Sequence, residues 1–357
     1  MRRLVVFFAR VGDLVMLTPI LRQLARDGEV ELLARPWARP LLGDQPWLAG
    51  VHTLAHPSAG DRGLDGWLRG GERRRLGPLL GARGYDEIVV FQGETALIRG
   101  WIDGWRGPAV MRSITRAGSA HRHVVDANRD ALAGGGFAVE GFDAQPRLEV
   151  PPAALAAARA RLAPLGRRVL AIQAGSSLTH AWWRKRRNLK GLAAEQWAAL
   201  LARLFAEGRC DGAVLHGSAP EGREARAIRA RLPAELRARV QDWTGAVPLG
   251  ELRAVLATSH AVLSVDTGPA HIAAAVGTPL LVVFGPTDPA VFQPRGPGAV
   301  ELMLGKAPCQ FCHETPAFKT CRANVCLSTL SVEQLVGAYG RLMARAPEAR
   351  EPGIPAA

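Results

Sequence analysis

The chain has 357 residues, with 45 Lys and Arg against 32 Asp and Glu and a formal net charge of +13. That length exceeds one ordinary domain of ~100–200 residues, and 48% hydrophobic content supports a sizeable core, which excludes a disordered chain. The charge excess calls for an anionic partner, whether nucleic acid, a phosphorylated small molecule or an acidic membrane face.

Residues 1–14, MRRLVVFFARVGDL, combine a basic start with a short apolar run. The run stops at Arg10, Asp13 follows closely and no small-residue cleavage site appears, so a buried strand over 3–9 is expected rather than a signal peptide. The loop Arg10-Val11-Gly12-Asp13 leads into LVMLTPILRQLARDG, apolar at helical spacing and closed by Gly28. VELLA (30–34) and EIVVF (87–91) read as further strands. Between them, residues 52–84 are rich in Gly and Arg with little periodicity and are expected to be loop-heavy. A helical pattern resumes over 121–133, and QPRLEVPPA at 145–153 breaks both helix and strand.

Beyond that break the rhythm restarts. Helices are expected at 153–164, 194–207, 221–232, 249–258 and 269–276, alternating with strands at 168–175, 212–217, 239–243, 261–266 and 279–285. The pattern predicts an α/β protein of two Rossmann-like, doubly wound domains facing across a cleft, 1–150 and 151–330. A C-terminal helix over 331–346 and a disordered tail over 347–357 complete the chain. Ligands in such sheets bind beyond the carboxyl ends of the strands. No window holds ~18 uninterrupted apolar residues, so no membrane span is expected. With five cysteines and no export signal, a reducing cytoplasm without structural disulfides is the expectation.

The richest segment is SVDTGPAHIAAAVGTPLLVVFGPTDP, 264–289. A strand ends at Asp266, Thr267 and Gly268 turn the chain, and Pro269 stands where a helix begins, a position that needs no N–H. The positive end of that helix suits a diphosphate, with His271 in its first turn. Taken singly, Asp266 reads as a helix cap and His271 as a core histidine. Joined in D-T-G-P-x-H with a second strand ending F-G-P-T, they read as a site.

This pattern resembles glycosyltransferase family 9, the heptosyltransferases that build the inner core of lipopolysaccharide. The resemblance spans nearly the whole chain. It includes RVGDLVMLTPILRQL (10–24), AGSS (174–177), Lys190 followed by GLAAEQW to Trp197, and HGSAPE (216–221), which is similar to the family's Gly-x-x-x-Glu. It implies a GT-B fold with an N-terminal acceptor-binding domain and a C-terminal nucleotide-sugar-binding domain. It also implies transfer of heptose from ADP-heptose to a lipopolysaccharide inner-core acceptor, with inversion at the anomeric carbon.

Each site residue has a bland reading beside the functional one. Asp13, at a strand-to-helix turn that lacks a dinucleotide fingerprint, is an ordinary helix cap by position; the resemblance makes it the general base. Lys190 would stabilise the charge on the departing diphosphate, although Leu192 and Ala193 replace the family's Trp-Pro and Lys185 competes for the role. Ser176 and Ser177 would donate to the diphosphate, and Glu221 would bind ribose hydroxyls, where a bare glutamate would face solvent. Arg62, Arg112, Arg116 and Arg122 are the candidates for contact with an acceptor carrying phosphates and acidic sugars. Such an acceptor implies peripheral contact with the cytoplasmic face of the inner membrane.

Four cysteines, Cys309-x2-Cys312-x8-Cys321-x4-Cys326, carry one C-x-x-C pair and suit a structural zinc or free thiols. No cofactor is expected for the chemistry. The alternatives are a family transferase with another donor or glycan acceptor, and a nucleotide-sugar epimerase of the same architecture. Charge alone suggests a nucleic-acid binder, but arginines are scattered along the chain, there are only two Tyr, and no recognised module appears.

Overall fold

The computed structural model describes residues 1–55, 64–91, 96–116, 121–176, 189–313, 315–321 and 324–346. The chain divides into two compact units, Met1–Ala144 and Gln145–Ala357.

The first unit is built on five parallel strands, β1 (Arg2–Phe7), β2 (Glu29–Ala34), β3 (Gly50–Thr53), β4 (Glu87–Phe91) and β5 (Val110–Ile114). Their order is β3-β2-β1-β4-β5, so the winding reverses between β1 and β4. The central strands read as unbroken apolar runs because helices cover both faces of a parallel sheet. Leu4, Val5, Val6, Leu32, Leu33 and Val89 are all fully buried. Helix Val11–Leu24 follows β1 directly and buries its whole length from Leu14 to Ile20. Pro19 lies inside it.

The second unit repeats the plan with six strands, β6 (Val169–Gln173), β7 (Gly212–Leu215), β8 (Val240–Asp242), β9 (Ala261–Val265), β10 (Leu280–Phe284) and β11 (Val300–Leu304). The order β11-β10-β9-β6-β7-β8 is the dinucleotide-binding order read from the far edge, with the reversal between β6 and β9. One face packs on helices Ala194–Ala206 and Val332–Arg345, where Trp197, Leu201, Leu335 and Tyr339 join the strand residues Leu170, Ile172 and Leu263. Trp197, the aromatic seven residues after Lys190, is thus a core side chain.

Three strands escape the sequence reading, β3, β5 and β11, and all three are edge strands. Edge strands are half-solvated and lose the apolar run, as the largely exposed β5 (VMRSI) shows. The stretch 52–84, expected to be loop-heavy, instead holds helix Leu64–Gly81. Its Gly and Pro content hides the helical period, yet the helix carries buried Gly77 and Leu80 against the Trp101 and Trp105 side chains. The tail 347–357 lies outside the described residues. Among the described residues no helix is long and apolar enough to cross a membrane.

Candidate active site

In the second unit the candidate residues gather at the carboxyl ends of β6, β7 and β9, on both sides of the switch point. β9 delivers Asp266, which is only 7% exposed. Its carboxylate does not cap the helix that follows. Oδ2 accepts a hydrogen bond from Lys190 Nζ at 2.8 Å and another from Thr287 Oγ1 at 2.6 Å. Lys190 is itself buried, so this is an ion pair shielded from solvent. Burial pushes the Asp266 carboxyl up, but Lys190, the Thr287 hydroxyl and nearby His271 outweigh it and hold the group below the usual carboxylate range.

Asp266 thereby ties three segments together: the end of β9, the Lys190 turn and the Gly-Pro-Thr loop after β10. Helix Gly268–Ala275 starts immediately after it. The helix N-cap, Thr267, makes no side-chain capping bond, because its hydroxyl donates to the carbonyl of Val265 instead. The positive end of an eight-residue helix therefore stands beside the Lys190 ammonium. His271, in the first turn, is buried at 4% exposure.

A second polar cluster forms at the ends of β6 and β7. Glu221 is buried rather than solvent-facing. Its Oε1 accepts from Gln173 Nε2 at 2.6 Å, and its Oε2 accepts from the backbone N–H and hydroxyl of Ser218, both at 2.7 Å. Gly217, the first residue of the Gly-x-x-x-Glu pattern, has φ 147°, and a Cβ there would come within 3.0 Å of Glu221 Oε2. Gly175 is similarly pressed, with an added Cβ 2.9 Å from Glu221 Oε1. The two glycines let backbone close around the carboxylate. Ser176 lies buried at the end of β6. Ser177 and Lys185 lie outside the described residues.

The sequence reading passed over Gln173, which ends an apolar strand and holds Glu221, and it took Thr287 only as part of the F-G-P-T motif, without its bond to Asp266.

In the first unit, Asp13 sits in the first turn of helix Val11–Leu24, at the carboxyl end of β1, and accepts from the Arg10 backbone N–H at 3.3 Å. This is a cap-like contact made from within the helix. Arg112, on edge strand β5, pairs with Glu87 at 2.6 Å and lies over the Phe137 ring. Arg122 pairs with Asp130. Two of the four predicted acceptor arginines are therefore already bound to carboxylates of their own unit. Arg116 is half-buried just after β5, and Arg62 lies outside the described residues.

The cysteine segment bears on the expectation of a structural zinc or free thiols. Cys309, Cys312, Cys321 and Cys326 are free thiols close enough for their charges to interact, and burial pushes the Cys326 thiol up to about 11. Among the described residues, however, no group of three or more His, Cys, Asp or Glu side chains converges to hold a metal ion.

Comparison with known proteins agrees with this picture. The profile of glycosyltransferase family 9 (heptosyltransferase) matches residues 73–321. A lipooligosaccharide heptosyltransferase 2 of Haemophilus influenzae is 38% identical over 90 residues, 25% of this chain and only 26% of that protein. The lipopolysaccharide heptosyltransferase 2 of Salmonella typhimurium is 29% identical over 316 residues, covering 81% of this chain and 84% of its own length. Among solved structures, the E. coli ADP-heptose lipopolysaccharide heptosyltransferase II superposes with a TM-score of 0.74 at 19% identity, covering 97% of this chain and 99% of that one. The two parallel-sheet units are those of the GT-B fold. The family match decides for a transferase over an epimerase. The chain belongs to glycosyltransferase family 9, the heptosyltransferase family.

Proposed function

We propose that the protein acts in lipopolysaccharide biosynthesis, moving a heptose from ADP-heptose to an inner-core acceptor with inversion at the anomeric carbon. The observation that carries this reading is the buried Lys190–Asp266–Thr287 cluster beside the start of helix Gly268–Ala275. It sets an ammonium and a helix dipole side by side, which suits a diphosphate leaving group. Glu221, held by Gln173 and Ser218, is assigned to the ribose hydroxyls, and Ser176 and Ser177 are assigned to the diphosphate.

Asp13 is the general base. As the acceptor hydroxyl oxygen attacks the anomeric carbon, its proton passes to the Asp13 carboxylate. The bond from that carbon to the diphosphate oxygen breaks, and ADP departs with the electron pair. Attack opposite the leaving group inverts the centre. Lys190 lowers the barrier by stabilising charge that grows only as the bond breaks. No metal is required, since the cation at the diphosphate is a side chain.

The acceptor, an anionic glycolipid, is bound by the first unit, with Arg62 and Arg116 as contacts. An acceptor of this kind places the enzyme at the cytoplasmic face of the inner membrane. The names of the Salmonella and E. coli relatives, both lipopolysaccharide heptosyltransferases, support the donor and acceptor assigned here.

The test is Asp13→Ala. The variant is expected to bind ADP-heptose as the parent does and to lose transfer by at least about a hundredfold, the low end for removing a general base. Turnover near the parental rate overturns the assignment. Titrating ADP-, GDP- and UDP-sugars in the same assay tests the donor.

A further inference from the structure

We infer that Arg10 and Arg35, with Trp37, form an oxyanion site for the acceptor beside Asp13. β1 and β2 are adjacent and in register, with Phe7 opposite Ala34. Arg35 is the first residue beyond β2, and Arg10 ends the short segment between β1 and the helix that carries Asp13. Both arginines thus leave the sheet at its carboxyl edge, one strand apart.

The chemistry at this edge is unbalanced. Several arginines described in this unit have a carboxylate: Arg3 pairs with Glu87, Arg22 with Asp143, Arg83 with Glu31 and Arg106 with Asp103. Among the described residues, Arg10 and Arg35 have none. The Arg35 guanidinium instead lies over the Trp37 ring, 5.0 Å from its centroid. Its Nε is shielded from solvent and has no hydrogen-bond partner among the described residues, and the same holds for Trp37 Nε1. Burial and then the like charge of Arg10 hold the Arg35 guanidinium below its ordinary value.

Two guanidinium groups that feel each other's charge, one of them stacked and carrying an unused donor, are stabilised by an anion between them. Stacking on Trp37 fixes the plane of the Arg35 fork, and the indole N–H adds a further donor. The complement is a tetrahedral phosphoryl group or a sugar carboxylate. Arg10 is three residues from Asp13, and its backbone N–H donates to that carboxylate. An oxyanion on the acceptor held here lies next to the hydroxyl that Asp13 deprotonates. The site then selects which acceptor hydroxyl is presented. This inference rests on Asp13 being the general base.

The experiment is steady-state transfer from ADP-heptose to a lipopolysaccharide-core acceptor, with donor and acceptor KM measured separately. Arg35→Ala is expected to raise the acceptor KM by about tenfold or more, the loss of a charge-assisted contact, while the donor KM stays unchanged. Arg10→Ala and Trp37→Phe raise it by less, and Arg35→Lys recovers part of the loss. Repeating the series on phosphatase-treated acceptor and on acceptor with methyl-esterified carboxylates names the anion, because Arg35→Ala has no further effect on the form lacking it. An Arg35→Ala acceptor KM within about twofold of the parent overturns the site, as does a penalty that persists on both modified acceptors. Calorimetric titration of the acceptor into the Asp13→Ala protein, with and without Arg35→Ala, reads the contact without chemistry. If Asp13→Ala still turns over while the Arg35 effect persists, the general-base reading fails and the anion site stands.

Discussion

Lys190 and Asp266 form a buried ion pair, 2.8 Å between Nζ and Oδ2, that joins the turn after residue 188 to the end of the strand at the switch point. The two residues are 76 positions apart in the chain and meet only in the folded second unit. Asp266 also accepts from Thr287, so a single carboxylate fixes both the cation and the loop that follows β10. Its part in the proposed reaction is to aim Lys190.

Removing either partner strands the other charge away from water, a loss on the order of 3–5 kcal/mol for a buried pair. Asp266→Asn is expected to lower the unfolding midpoint and to raise the donor KM, because the lysine loses its anchor. Lys190→Gln is expected to lower kcat more than it raises the donor KM, because its contact strengthens as the leaving group gains charge. Steady-state kinetics and urea unfolding on both variants check the pair. Equal effects on kcat and KM in the two variants would mean that Lys190 only holds structure.

The fold was legible where the physics is repetitive. Interior strands such as β1, β6 and β9 are buried on both faces and print an unbroken apolar run, whereas β3, β5 and β11 lie at sheet edges and do not. The site was legible where one short segment carries it, as in Asp266-Thr287 and Gly217-Glu221. Gln173, which donates to Glu221 across 48 residues, leaves no local trace in the chain. Nor does the Arg10–Arg35 relation, since register between two parallel strands is a property of the sheet. At Cys309–Cys326 the spacing leaves zinc and free thiols both open, because spacing does not fix the direction of the thiols.

Gly217→Ala tests how tightly the Glu221 cluster is built. The position has φ 147°, where an L side chain is strained, and the new methyl would press on Glu221 Oε2 at 3.0 Å. Strain of this kind costs roughly 1–3 kcal/mol. With Glu221 displaced, the donor KM is expected to rise while the acceptor KM stays at the parental value. A variant with unchanged donor KM and unfolding midpoint would show that the loop accommodates a side chain and that Glu221 has room to move.

His216 makes the second unit sensitive to acid. It follows β7 directly, next to Gly217, is 2% exposed, and neither ring nitrogen has a hydrogen-bond partner among the described residues. Burial alone pushes its pKa down to about 4. Unfolding returns the imidazole to a value near ~6.5, so between these two values the unfolded chain binds the extra proton. The associated stability is therefore fully present above ~pH 6.5 and drains away as the pH falls towards ~4, at most on the order of 3 kcal/mol. Urea unfolding at ~pH 7.5 and ~pH 5 should show the parent losing about 2 kcal/mol more than His216→Phe over that interval. Equal losses in the two proteins would place a charged or solvated imidazole at this position. Because the folded imidazole stays neutral down to about 4, donor affinity is expected to show no His216-dependent change across that window, and parent and variant should differ in stability alone.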